Sequence, residues 1–122
     1  MGTQRSFSKL ERKYSPELRE KVSSAEDVSD LMRNFSSIVT SFLDRALEDY
    51  EEIEIDGYSV NFEPGNEKNF KIDKRLKTNE TFKEIWENSD LRNVLKRFAD
   101  SAYKRYVHLE KHNEKTNKKI RN

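Results

Sequence analysis

The sequence predicts an α+β fold: a two-layer domain in which a three-stranded antiparallel meander lies under two long helices. Three observations predict it. Apolar residues recur at helical spacing over residues 28–47 and again over 91–109. Between these stripes the period drops to two, from Ile53 to Ile72. An Asp56-Gly57 pair then divides the first two alternating runs, the strongest short hairpin signal because both turn positions need positive φ.

The elements follow in order. Ser15-Pro16 reads as a helix start, since serine caps and a first-turn proline loses no hydrogen bond, and predicts a short helix near 16–23. Val28, Leu31, Met32, Phe35, Ile38, Val39, Phe42, Leu43, Ala46 and Leu47 then fall three and four apart, on one helical face. Ser24 and Asp27 resemble a capping box, and the helix is placed at about 25–48.

Ile53 and Ile55 alternate with acidic residues, as do Tyr58, Val60 and Phe62 with polar ones. A two-residue loop would pair Ile55 with Tyr58 and Ile53 with Val60, keeping all apolar side chains on one face. Pro64-Gly65-Asn66 forms the next turn, and pairing Phe62 with Phe70 sets Val60 opposite Ile72. The three strands are placed at about 51–55, 58–63 and 69–73. Helical spacing returns in a short helix near 80–88. A break at Asn88-Ser89-Asp90 precedes a second long helix over about 90–110.

A small sheet with one apolar face needs a covering layer, which only the two long stripes supply. The first helix, about 36 Å long at 1.5 Å per residue, outruns strands of about 20 Å. Its remaining stripe must pack on the last helix or on a second copy. Phe35, Val39 and Phe42 are the candidate self-association residues.

Composition sets the outer limits. The chain has 122 residues, 39% charged and 33% hydrophobic, with a net charge of +1 and no cysteine. Thiol catalysis, disulfides and cysteine-based zinc sites are excluded. No apolar run is long enough to span a membrane, and a cytoplasmic protein is expected. Residues 1–14 form a basic arm expected to be flexible, residues 15–110 a single domain, and residues 111–122 a basic tail.

Few chemical motifs stand out. The three glycines form no phosphate loop, and no nucleophile elbow is present. His108 and His112 have chelating i, i+4 spacing, yet a third ligand is lacking and lysines flank them, so no metal is assigned. No cofactor or small-molecule ligand is evident. Met1-Gly2-Thr3-Gln4-Arg5-Ser6 matches a short N-myristoylation pattern of low specificity, and membrane association is not expected.

The basic C-terminal segment is the candidate nucleic-acid contact: Lys104, Arg105, Lys111, Lys115, Lys118, Lys119 and Arg121, interleaved at its start with Tyr103 and Tyr106. The same residues also suit a solvated helix end. An enzyme whose site assembles from scattered residues is a third reading with no motif behind it; two others have more to point to them. One is a non-catalytic interaction module that binds a protein partner or itself through the first long helix. The other is a nucleic-acid accessory protein that uses the basic tail.

Overall fold

The computed structural model describes residues 6–121, with side chains through Lys111. Among the described residues the order is α1 (Ser8–Ser23), α2 (Val28–Ala46), β1 (Val60–Phe62), β2 (Phe70–Ile72), α3 (Lys74–Lys77), α4 (Glu80–Asn88) and α5 (Leu91–Arg121). The fold is α+β and mostly helical. A two-stranded antiparallel hairpin packs against the long helices.

Helix α1 begins two turns before the expected Ser15-Pro16 start and takes in residues 8–14 of the basic arm. Its stripe explains the difference. Phe7, Leu10, Tyr14, Leu18 and Val22 recur at three or four residues, and each is buried or packs against the core. Pro16 sits inside the helix. It removes one N–H bond, but packing of the whole stripe outweighs that local loss.

Helix α2 is the central element. Its N-cap is Asp27, whose carboxylate accepts the Asp30 N–H at 2.8 Å; Ser24, the expected cap, instead closes α1. Leu31, Phe35, Val39, Phe42 and Leu43 are fully buried between α1 and α5, with which α2 packs. Phe42 meets the ring of Tyr14 from α1 at 5.8 Å and that of Phe98 from α5 at 5.1 Å, both edge-on. Such aromatic pairs add about 0.5–1.5 kcal/mol beyond burial.

Strand pairing follows the expected register where the hairpin forms: Val60 opposite Ile72 and Phe62 opposite Phe70. All four are buried, while Asn61 and Lys71 face outward. Gly65, at φ +94°, supplies the left-handed turn residue that Pro64-Gly65-Asn66 called for.

The expected third strand at 51–55 is absent, and the meander is a two-stranded hairpin. The Asp56-Gly57 pair turns the chain without forming a ladder. Asp56 Oδ1 accepts the Tyr58 N–H at 2.8 Å, and the Asp56 N–H donates to Ser59 Oγ at 2.9 Å. Ser59, expected on the solvent face, is buried by this turn. The preceding segment finds partners elsewhere. Asn79 Nδ2 donates to Glu52 O at 2.7 Å, and the same residue's Oδ1 caps α4 through the Phe82 N–H. On the α2 side, Ser36 Oγ and Thr40 Oγ1 donate to the carbonyls of Gly57 and Asp56. Ile53 reaches the core from an irregular loop.

Candidate functional site

The apolar stripe of α2 is consumed inside one chain. Phe35, Val39 and Phe42 are each 0% exposed. Within one chain α1, α5 and the hairpin cover them, the ring of Phe62 meeting that of Phe35 at 5.6 Å, so they offer no open surface for the self-contact that the stripe suggested.

The exposed flank of α2 is different. Between Ser29 and Ser41 it forms one wall of an open trough of about 870 Å³, whose other wall is the 57–61 turn. Small hydroxyl residues (Ser36, Ser37 and Thr40) line its length. Two large apolar side chains emerge beside them, Met32 at 39% exposure and Tyr58 at 73%. Of the eleven lining residues only Arg33 is charged, and it pairs with Asp30 of its own helix. This absence of charge is unusual in a chain that is 39% charged.

The basic C-terminal segment does not form one uniform patch. Lys104 and Lys111 are exposed. Arg105 turns inward, and its Nη2 donates to Ala25 O at 2.7 Å in the α1–α2 connection. Its Nε is buried without a partner among the described residues. The guanidinium therefore meets the Ala25 carbonyl just past the C-terminal end of α1, where a cation is favoured. The side chains of Lys115, Lys118, Lys119 and Arg121 lie outside the described residues, although α5 runs to Arg121. So do the His112 side chain and Gly2 of the acylation pattern. Among the described residues no three side chains are grouped to hold a metal ion, and no helix is long and apolar enough to cross a membrane.

Two further hollows lie on the surface of the described residues. The first, about 290 Å³, is ringed by Glu51, Glu52, Glu54, Asp56 and Asp73. Arg75 also lines it, with Nε donating to Asp73 at 3.0 Å and Nη2 to Asp56 at 3.1 Å. The Tyr58 N–H, and then Arg75, hold the Asp56 carboxyl below the ordinary carboxylate range.

The second hollow, about 430 Å³, has an aromatic floor of Phe70, Phe82 and Trp86 and a rim that includes Lys68, Lys71, Lys77 and Lys83. Trp86 stacks on Phe82 at 5.5 Å and meets Phe70 at 6.3 Å. The sequence alone does not reveal this hollow. Its lysines come from the hairpin, the end of α3 and the outer face of α4, and only the return of the chain brings them together.

No family model matches the chain, and no curated protein or solved structure matches it significantly.

Proposed function

We propose that this protein is a non-catalytic interaction module that associates with a second copy of itself through the trough flanking α2. The observation that carries this reading is the loss of charge there, with one charged side chain among eleven. The centres of protein interfaces are depleted in charge and enriched in tyrosine and methionine, the two large residues that emerge here.

A second copy suits the trough better than an unrelated partner. A two-fold interface needs a patch that is complementary to itself. This patch supplies both halves: a floor of small side chains at Ser36, Ser37 and Thr40, and protruding apolar groups at Met32 and Tyr58. The α2 wall of the trough, from Ser29 to Ser41, runs about 18 Å at 1.5 Å per residue. That is short for an obligate interface, so association should depend on concentration.

Sedimentation velocity on the full chain tests the reading. The expected result is a rise in average mass from 14.6 kDa toward twice that value as concentration climbs from about 1 μM to about 1 mM, the range that spans roughly 8 to 4 kcal/mol of binding. Ser37→Arg and Tyr58→Ser, both at exposed positions, should hold the chain at its monomer mass with an unchanged helical signal. A constant monomer mass in the wild type, or a dimer that survives both substitutions, would overturn the proposal.

A further inference from the structure

The lysine-rimmed aromatic hollow points to a ligand of its own, on a surface separate from the α2 trough. We infer that it binds single-stranded nucleic acid, with one base stacked in the hollow at Trp86 and the flanking phosphates held by lysines.

The floor offers a stacking surface. Trp86 is only half-buried although Phe82 stacks against it. Its indole N–H has no hydrogen-bond partner among the described residues, and it is not sealed from solvent. A partly open, braced aromatic surface is what a base needs, and stacking accepts any base because every base has a π face.

The rim offers positive charge. None of the ammonium groups of Lys68, Lys71, Lys77 and Lys83 has an ion-pair partner among the described residues. By contrast Arg97 pairs with Glu11, Arg75 with two aspartates and Lys96 with Asp100. Glu67 and Glu87 also line the hollow, which leaves an excess of two positive charges around an apolar floor.

The hollow continues along the surface. A second depression of about 340 Å³ shares Glu67 and Lys68 with the hollow and extends to Arg92, Asn93 and Lys96. A free nucleotide would fill the hollow alone. A strand would follow the cations from Lys83 and Lys71 through Lys68 to Arg92, so the pair of depressions favours a strand.

Trp86 is the single tryptophan of the chain, so its fluorescence reports on this site. The full-length protein is titrated with a mixed-sequence DNA oligonucleotide of about six nucleotides, within the range one binding groove covers. The expected result is saturable quenching whose affinity falls with salt at a log–log slope of about −3, the value for four phosphate contacts on a single strand. Lys71→Glu with Lys83→Glu, both exposed, should weaken binding by at least about tenfold and flatten the slope. Adenosine monophosphate should quench at higher concentration than the oligonucleotide, and heparin or polyglutamate should not reproduce the quenching. No saturable quenching by the oligonucleotide would overturn the inference. So would equal affinity for the monophosphate, equal quenching by heparin or polyglutamate, or a doubly substituted chain that binds as the wild type does.

Discussion

Arg97 grips Glu11 with two parallel hydrogen bonds, Nε to Oε2 at 2.6 Å and Nη2 to Oε1 at 2.8 Å, across 86 residues of sequence. The contact joins the first half of α1 to α5. Nearby, Asp90 accepts the Phe7 N–H at 2.8 Å and the Ser6 hydroxyl at 3.0 Å. The two carboxylates explain how a segment that reads as a loose basic arm becomes part of the helical core.

The Glu11–Arg97 pair should carry measurable stability. The Glu11 side chain is only 13% exposed and the geometry is fork to fork, although Arg97 is half in solvent, which screens the pair. Glu11→Ala and Arg97→Ala are each expected to cost about 1 kcal/mol, with a coupling of about 0.5–1 kcal/mol in a double-mutant cycle. Urea unfolding measures this. Strictly additive single effects would show that α1 is held by its apolar stripe alone.

Arg105 should behave as a structural residue and not as a ligand-binding cation. Arg105→Ala removes the donor to Ala25 O and is expected to cost about 1.5–3 kcal/mol, the usual value for a hydrogen bond to a charged group. Oligonucleotide affinity should stay unchanged in the same variant. Loss of affinity at full stability would return Arg105 to the nucleic-acid contact.

Phe42 stands where α1, α2 and α5 meet. Phe42→Ala should cost about 3–5 kcal/mol, a large share of the roughly 5–15 kcal/mol that holds a domain together. Ser37, five residues earlier on the same helix but exposed, should tolerate arginine within about 0.5 kcal/mol. Thermal unfolding of the two variants distinguishes the buried stripe of α2 from its exposed flank.

The turn at Asp56 should depend on pH. Its carboxyl is held below the ordinary value of 3.8, first by the Tyr58 N–H and then by Arg75. The folded state therefore binds this proton less readily than the unfolded chain does. The stabilisation is complete above the ordinary carboxylate range and fades as pH falls through the depressed folded value. In an acid titration by NMR the Tyr58 amide should shift with a midpoint below 3.8, and Asp56→Asn should abolish that transition. A midpoint at or above the ordinary value would contradict the hydrogen bond.

Much of the fold was legible in the sequence, for identifiable reasons. The Val60–Ile72 and Phe62–Phe70 pairing follows from strict alternation, because a slip of one residue would turn every apolar side chain to water. Helix α4 falls at its expected limits because Asn79 marks its cap. The 51–55 segment forms no strand despite its alternation, because the alternation of Ile53 and Ile55 describes burial, not pairing. Whether a ladder forms depends on a free edge, and here Asn79, Ser36 and Thr40 take the carbonyls of Glu52, Gly57 and Asp56. The stripe of α1 was present in the sequence but obscured by Pro16.

The candidate sites were less legible than the fold. A stripe such as Phe35, Val39 and Phe42 reads the same whether a partner or the chain's own helices cover it. The Trp86 hollow assembles lysines that local spacing does not connect. Its existence is a property of the topology, not of any motif.

The central claim is that α2 spends its apolar stripe inside one chain and meets a second copy through its charge-poor flank. A dilution series followed by residue-resolved NMR tests it most directly, from about 1 mM downward, where even 4 kcal/mol of association is visible. The account predicts concentration-dependent shifts at Met32, Ser37, Gly57 and Tyr58, with the methyl and ring signals of Val39 and Phe42 unmoved. Spectra that stay constant over the whole series, or shifts centred on another face, would contradict it.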